Sequence, residues 1–258
     1  MGSRPGAPSG IPCDLPAVIL AAGKGTRMKT GQPKAAVPVN GRPMAVRVID
    51  AMRKAGASRV IAVVGHRAED VRDAIGDDVE YVVQEQQAGT GDAVKSAAPA
   101  LAGYRGPVLI VHADIPLLRD ADIARLLQHH LRSGAAATML TAEFDDPGSL
   151  GRILRGSDGR VLGIVEARDA TPEQLKVKEI NVAVYCFEAP LLFEALAEVT
   201  NDNAQGQYYL TDVIGILVER SERVEAVTME YAHAGIGVDT VEDLARARSI
   251  SAAHERFD

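Results

Sequence analysis

The sequence lacks several features that define particular classes of protein. It contains no Trp and only 4% aromatic residues, and its acidic residues outnumber its basic ones. With a formal net charge of −7, the chain offers no broad basic face for the phosphate backbone of nucleic acid. We therefore expect no nucleic-acid partner, and any phosphate that binds must meet a local positive site.

Cysteines and long apolar runs are also scarce. Cys13 and Cys186 are too few for a disulfide framework, and Cys186 lies in an apolar run that predicts a buried, inert thiol. No stretch approaches the roughly 18 consecutive apolar residues of a membrane span, and the N-terminus lacks the apolar core of a secretory signal. These absences predict a cytoplasmic protein with no membrane partner, and they leave the oligomeric state open.

The first half of the sequence contains a regular alternation of two patterns. Short runs rich in Val and Ile predict buried parallel strands, and the segments between them repeat apolar residues at helical spacing. Right-handed crossovers of this kind build a doubly wound α/β layer. The predicted strands are 17–22, 59–65, 79–83 and 108–113, and the predicted helices are 43–55, 68–74, 91–101 and 120–133.

The second half changes pattern after about residue 135. A strand is followed by a hairpin around the turn Gly-Ser-Asp-Gly at 156–159, and then by further strands and helices. The predicted strands are 136–143, 152–155, 160–167, 179–187 and 224–229, and the predicted helices are 190–199, 209–219 and 241–249.

A glycine-rich segment directly follows the first predicted strand. Residues 20–28 read LAAGKGTRM, at the carboxyl edge where open α/β sheets bind ligands. Small residues there let backbone N–H groups approach phosphates, although Gly-Lys-Gly after a strand also suits a simple tight turn. The segment has neither the third glycine of a dinucleotide-binding fingerprint nor the Gly-Lys-Ser/Thr of a P-loop.

Three side chains near predicted strand ends suit phosphate chemistry. Arg27 and Lys34 supply the positive charge that a triphosphate needs, unless they are solvated surface bases. Asp114 follows the fourth strand, where a carboxylate can hold a hard cation or can simply cap a helix.

These residues, with PKA at 33–35, resemble the uridylyltransferase half of the bacterial bifunctional enzymes N-acetylglucosamine-1-phosphate uridylyltransferase/glucosamine-1-phosphate acetyltransferase. Other segments match the same family in order over about residues 15–250. NAQGQYYLTD at 203–212, EIN at 179–181 and VEARDA at 165–170 indicate the N-acetylglucosamine branch rather than the glucose or mannose branches.

The resemblance implies a fold, substrates and a site. The fold is a Rossmann-like nucleotidyltransferase fold of the glycosyltransferase-A type, with a mostly parallel central sheet, helices on both faces and a β-hairpin insertion. The substrates are UTP and N-acetylglucosamine 1-phosphate, and the cofactor is Mg²⁺. The implied site residues are Arg27 and Lys34 for catalysis; Ala22, Gly23, Gln84, Gly89 and Thr90 for the nucleotide; Gly151, Glu166, Asn181 and Thr211 for the sugar; and Asp114 and Asp239 for the metal.

Several single residues refine this interpretation, and some of them differ from the pattern of the family. The Gln84 carboxamide can offer both a donor and an acceptor to a pyrimidine, although a lone Gln at a strand end can also be merely polar. Asp239 stands where the family usually has Asn, and adds a negative charge to the expected magnesium site. Ala113 stands where Gly is usual, and Val182-Ala183 where Thr-Gly is common. The histidines show no metal-binding spacing.

Domain boundaries and alternative functions follow from the same resemblance. We expect a flexible tail at 1–14, a nucleotidyltransferase domain at 15–239 and a C-terminal helix and tail at 240–258, without a left-handed β-helix acetyltransferase domain. The chain is then a natural single-function enzyme or a truncated one. The competing functions are a nucleotidyltransferase for another sugar 1-phosphate or for molybdopterin, and a non-catalytic nucleotide-sugar sensor.

Overall fold

A twisted central sheet organises the chain, and its strands follow the predicted apolar runs. The computed structural model describes residues 10–23, 25, 28, 31–230, 235 and 237–254. The strands are β1 (Pro16–Leu20), β2 (Pro38–Val39), β3 (Arg42–Pro43), β4 (Arg59–Val64), β5 (Glu80–Val83), β6 (Pro107–His112), β7 (Ala137–Glu143), β8 (Arg152–Arg155), β9 (Val161–Val165), β10 (Glu179–Glu188) and β11 (Val224–Thr228). Strands β2 and β3 form a small separate pair that the sequence pattern did not predict.

The main sheet has the strand order β11-β7-β10-β6-β1-β4-β5. All neighbours are parallel except β10, which runs antiparallel to both β6 and β7. The predicted hairpin forms from β8 and β9, and β8 joins the sheet through an antiparallel pairing with β10. The sheet is therefore mostly parallel, with the hairpin beside its single reversed strand.

Helices cover both faces of the sheet. They are α1 (Met44–Lys54), α2 (Ala68–Ile75), α3 (Thr90–Ser96), α4 (Asp120–Ser133), α5 (Ala189–Leu196), α6 (Asp212–Glu219) and α7 (Val241–His254). Helices α1, α2 and α4 contribute to one hydrophobic core, and α3, α5 and α6 contribute to the other. Successive strand residues point to opposite faces, so Ala17 and Ile19 of β1 lie in the first core and Val18 lies in the second.

Three predicted helices are shorter than their apolar pattern indicates, and one of them, predicted at 190–199, ends at Leu196. The segment predicted as 91–101 divides into α3 and a 3-10 turn, Ala98–Leu101, because Pro99 has no N–H to continue the helix. Helix α6 begins at Asp212 rather than at 209, and the N–H of Leu210, within the predicted segment, donates to the Thr90 hydroxyl instead. None of the helices in the described part of the chain has the length and apolar character of a membrane span.

Candidate active site

A cavity of about 490 Å³ opens at the carboxyl edge of the sheet. Its walls follow the ends of β1, β5 and β6, which parallel pairing brings to one edge. The lining residues are Leu20, Ala21, Ala22, Gly23, Gly25, Lys34, Ala35, Gln84, Gln87, Gly89, Thr90, Ala93, His112, Ala113, Asp114, Gln207 and Asp239. The cavity therefore contains every nucleotide and metal residue that the family resemblance implies.

Lys34 forms the centre of the polar group in this cavity. Its Nζ lies 2.5 Å from Oδ2 of Asp114 and 2.5 Å from Oδ1 of Asp239. Lys34 begins a short 3-10 turn after Pro33, and Gly25 packs against it so closely that a Cβ on Gly25 would lie 2.6 Å from the Cβ of Lys34. One ammonium thus joins two carboxylates from distant parts of the chain.

The backbone holds the two carboxylates side by side. The N–H of Val238 donates to the carbonyl oxygen of Asp114 at 2.8 Å, so the residue before Asp239 is fixed to Asp114. Asp243 accepts from the N–H groups of Asp239 and Thr240, and its own N–H donates to the Thr240 hydroxyl. This reciprocal capping begins α7 directly beside the site.

Burial and charge act in opposite directions on these groups. Burial lowers the pKa of Lys34, but Asp114 and Asp239 raise it more, and the pKa lies above the usual range. Burial raises the pKa of Asp114, but the ammonium of Lys34 and then the neighbouring His112 hold it below the usual range. The lysine is therefore protonated and Asp114 is ionised at neutral pH.

The donor set of the cavity fits a small hard cation. Asp114 and Asp239 supply oxygen ligands alone, and a cation, the Lys34 ammonium, already lies between them. Magnesium in nucleotide sites is usually held by one or two carboxylates together with phosphates and water. No cluster of three or more His, Cys, Asp and Glu side chains that could hold a metal ion occurs among the described residues.

The expected nucleotide residues line the same cavity. A Cβ on Gly23 would meet no atom within 4 Å, so this glycine leaves open space where a ligand can approach the backbone. Gln84 is 3% exposed, and its Nε2 donates to the carbonyl oxygen of Gly89 and to Asp92. The Thr90 hydroxyl accepts a hydrogen bond from the N–H of Leu210. This bond connects the segment before α6 to the nucleotide wall, the part of the cavity lined by Ala22, Gly23, Gln84, Gly89 and Thr90.

The expected sugar residues form a second group, next to the hairpin. The Thr211 hydroxyl donates to Oε1 of Glu166 at 3.0 Å, and the N–H of Asn181 donates to the carbonyl oxygen of Gly151 at 3.0 Å. A Cβ on Gly151 would lie 3.5 Å from Oε2 of Glu166. The structure thus brings all four residues together, although none of them lines the cavity described above.

The polar group formed by Gly151, Glu166, Asn181 and Thr211, called the sugar group below, is acidic and partly shielded from water. Burial raises the pKa of Glu166, while the hydrogen bond from Thr211 lowers it and the charge of Asp169 raises it. Asp212 is affected in the same way, because burial and then Glu166 and Asp169 raise its pKa to about 6. Carboxylates in such surroundings gain from hydroxyl donors, which sugars supply.

Three polar residues that line the cavity were not predicted from the sequence, and one expected residue lies outside the described part of the chain. His112, Gln87 and Gln207 line the cavity, but the histidines had been set aside for lack of metal spacing. The position of His112, two residues before Asp114 at a strand end, was the available signal. Arg27, the second expected catalytic cation, lies outside the described residues.

The sequence is similar to those of known proteins over most of its length. The model of the MobA-like NTP transferase domain matches residues 17–224. The chain is 47% identical over 233 residues to the "Bifunctional protein GlmU" of Exiguobacterium sibiricum, covering 90% of the chain and 52% of that protein. It is 46% identical over 239 residues to the protein of the same name from Pelobacter propionicus, covering 92% and 52%. The chain spans about half the length of these curated relatives.

A solved structure shares the fold at lower sequence similarity. The structure of UDP-glucose pyrophosphorylase complexed with UDP-glucose superposes with a TM-score of 0.73 at 18% identity. The match covers 93% of this chain and 99% of that one. At this identity the likeness concerns the arrangement of helices and strands, and the chemistry must come from the site itself.

Proposed function

Because the chain belongs to the family of MobA-like NTP transferase domains, we propose that it transfers the uridylyl group of UTP to N-acetylglucosamine 1-phosphate. The products are UDP-N-acetylglucosamine and pyrophosphate. The observation that carries the proposal is the cavity in which Lys34 lies between Asp114 and Asp239. Similarity to GlmU proteins and the segments VEARDA and NAQGQYYLTD support this pair of substrates. A cytoplasmic location, expected from the scarcity of cysteines, belongs to the same proposal.

The reaction joins two anions without a covalent protein intermediate. An oxygen of the sugar 1-phosphate attacks the α-phosphorus of UTP, in line with the bond to the β-phosphate. A new O–P bond forms while that bond breaks, and pyrophosphate leaves with the electron pair. Since the attacking phosphate is already ionised at neutral pH, the chain must position both substrates and neutralise charge rather than supply a nucleophile.

Lys34 provides positive charge where the phosphates meet. Its raised pKa keeps it protonated at neutral pH, and burial strengthens its attraction for the charge that develops on the α-phosphate. Arg27 is proposed to add a second cation from the same glycine-rich segment. Gln84 and the backbone around Gly89 are proposed to hold uracil, with Ala22, Gly23 and Thr90 along the nucleotide.

Nucleotidyltransferases of this family generally use divalent metal ions, and we propose Mg²⁺ held by Asp114 and Asp239. Asp114 and Asp239 would hold the ion through their carboxylate oxygens, and it would supply positive charge that neutralises and orients the phosphates. The additional charge of Asp239, where the family resemblance leads us to expect Asn, strengthens the attraction for the cation. It also makes Lys34 necessary as a counter-charge, because two adjacent carboxylates repel a triphosphate.

The sugar is proposed to bind at the second polar group. Glu166 accepts hydrogen bonds from hydroxyls, and its orientation is set by Thr211. Asn181 offers a carboxamide for the acetamido group, and Gly151 leaves room beside Glu166. A sugar that lacks the matching groups leaves buried polar atoms unpaired, which is the basis for rejecting it.

The test is pyrophosphate release from UTP and Mg²⁺ with N-acetylglucosamine 1-phosphate, with glucose 1-phosphate and with no acceptor. We expect release that requires the N-acetylated sugar and falls at least about 100-fold in Asp114→Ala. Asp73→Ala removes an exposed carboxylate on α2, outside the cavity, and is the matched control. Binding of UTP without any release would instead identify a nucleotide-sugar sensor.

A further inference from the structure

The side chain of Gln84 is held by two hydrogen-bond acceptors. Gln84 directly follows β5, and its backbone N–H donates to the carbonyl oxygen of Val64 at 2.7 Å, which fixes the main chain. Its Nε2 donates to the carbonyl oxygen of Gly89 at 3.0 Å and to Oδ2 of Asp92 at 2.7 Å. A carbonyl and an ionised carboxylate accept hydrogen bonds and cannot donate them.

This environment determines which way the carboxamide faces. If the amide rotated by half a turn, its oxygen would face two acceptors, and both hydrogen bonds would be replaced by repulsion. Both N–H groups of Gln84 are therefore used within the protein. No described residue donates a hydrogen bond to Oε1, and Gln84 lines the cavity. Gln84 can thus offer an acceptor to a bound base, but not a donor.

We infer that Asp92 is a specificity-determining residue that acts through Gln84. It holds the carboxamide with its oxygen available to the base, so the site selects a pyrimidine that carries N–H at ring position 3. Uracil has this donor. Cytosine has an acceptor nitrogen at the same position, which would face the acceptor Oε1 of Gln84 and be repelled by it. The inference rests on the proposed function, in which Gln84 contacts the base.

Asp92 has the geometry of a positioning residue rather than a ligand. It lies on α3, one turn from Ser96, whose hydroxyl donates to the Asp92 carbonyl oxygen at 3.0 Å. Its side chain is partly buried, and its Oδ2 is directed at Gln84. A charged acceptor binds the amide more strongly than the Gly89 carbonyl alone does. In Asp92→Asn, the new amide can donate or accept, so Gln84 can adopt either orientation.

The experiment compares equilibrium binding of UTP and CTP to the full chain by calorimetry, for the parent, Asp92→Asn and Asp92→Ala. We expect the parent to prefer UTP at least about 100-fold and the preference to fall at least about tenfold in both variants. Asp73→Asn, which removes the same charge from an exposed helical position, should keep the parent's preference. The ratio of kcat/KM for the two nucleotides should change in parallel, with a smaller change in kcat on saturating UTP.

The outcomes separate this inference from the proposed function. Equal weakening of UTP and CTP binding in Asp92→Asn and Asp92→Ala would indicate a merely structural role and would overturn the inference. A parent that binds the two nucleotides equally would overturn it as well. If the binding preference changes as expected but no sugar 1-phosphate supports pyrophosphate release, the base recognition holds and the proposed transfer reaction fails.

Discussion

At the scale of single residues, Ala183 has an unusual backbone conformation beside the sugar group. Its φ is 62°, in the left-handed region that glycine adopts more readily than alanine. The pairing of β10 with β7 is irregular between Asn181 and Tyr185, and the N–H of Ala183 donates to Oδ1 of Asn181 at 3.1 Å. The Asn181 amide also donates to the hydroxyl of the buried Tyr185. The irregularity therefore fixes the Asn181 side chain. It also gives a physical reason for the glycine that the family resemblance leads one to expect at this position.

Ala183→Gly should raise the free energy of unfolding by about 0.5–1 kcal/mol. The substitution removes a left-handed penalty of about 1–2 kcal/mol, and the greater freedom of glycine in the unfolded chain offsets part of the gain. Urea unfolding measures the difference. Ala142→Gly in β7, at a buried position without positive φ, is the matched control and should instead lower stability. A loss of stability in Ala183→Gly would contradict this account of the strain.

At the scale of structural elements, the nucleotide wall depends on two segments that bind each other. The N–H of Tyr208 donates to the carbonyl oxygen of Ala88, and the N–H of Gly91 donates to the carbonyl oxygen of Tyr208, both at 2.8 Å. Gly89 lies between these bonds with φ 126°. A Cβ on Gly89 would lie 2.3 Å from the carbonyl oxygen of Tyr208, so the close approach requires glycine.

Gly89→Ala should separate these segments. Because the collision involves backbone atoms that cannot rotate away, we expect a loss of at least about 2 kcal/mol in stability. The proposed function further predicts a KM for UTP raised at least about tenfold. Thermal unfolding and steady-state kinetics provide the two readouts. Gly103→Ala is the matched control, since Gly103 also has positive φ but faces open space, and should cost only about 1 kcal/mol. Equal effects of the two substitutions would show that the positive φ, rather than the collision with Tyr208, determines the loss of stability.

A buried histidine connects α4 to the sheet. Nδ1 of His130 lies 2.9 Å from the Thr138 hydroxyl of β7, and Nε2 lies 3.2 Å from Oε1 of Glu188 in β10. In the neutral ring, Nε2–H donates to Glu188 and Nδ1 accepts from Thr138. Burial, and then the neighbouring His129, lower the pKa of His130 to about 4. The helix is therefore attached to the sheet by the neutral form of this side chain.

This lowered pKa predicts a loss of stability in mild acid. The unfolded chain binds a proton on His130 as the pH falls below about 6.5, and the folded chain does not until about pH 4. Stability is thus lost between these values and not further below them. From pH 7 to pH 4.5 the parent should lose about 2 kcal/mol more than His130→Gln, measured by urea unfolding. Groups far from position 130 respond to pH alike in the two proteins, so their contributions cancel in this difference. Identical slopes would contradict the prediction.

At the scale of the whole molecule, α7 fastens the end of the described chain to the segment that carries Lys34. Leu244 and Ala247 of α7 pack with Val37, Val39 and Met44 in a small core of their own. The Arg248 guanidinium donates to the carbonyl oxygen of Pro38, and Arg47 donates to the Ser251 hydroxyl. Since Asp239 immediately precedes α7, this packing also holds Asp239 against Lys34.

Leu244→Ala should therefore affect both stability and the site. The cavity left in this core should cost about 2–3 kcal/mol, measured by urea unfolding. Because Asp239 is then held less firmly, the proposed function, in which Asp239 holds Mg²⁺, predicts a rise in the Mg²⁺ concentration for half-maximal activity. Val241→Ala, which alters an exposed side chain on the same helix, is the matched control and should change neither quantity. A stability loss with unchanged Mg²⁺ dependence would show that α7 supports the fold without positioning Asp239.

Much of the fold was predictable from the sequence. The apolar runs place β1, β4, β5 and β6 within a residue or two of their observed ends, and α4 is predicted at its observed bounds. The similarity to GlmU proteins and the pyrophosphorylase-like fold confirm the resemblance and the fold class. The bounds of α3 and α6 were predicted less well, because Pro99 ends one helical pattern and contacts between distant segments replace the start of the other.

The sequence by itself determined the order of strands and helices, since burial on a strand or helix imposes a periodicity that neighbouring residues record. It also determined which side chains were available for phosphate chemistry. Only the tertiary structure decided that Lys34 meets Asp114 and Asp239, which are 80 and 205 residues away. It alone decided which way Gln84 faces, because that orientation depends on acceptors that a different helix and loop supply. The Lys34 contacts join distant segments and leave no local pattern in the chain, and the Gln84 contacts depend on how the chain turns between β5 and α3.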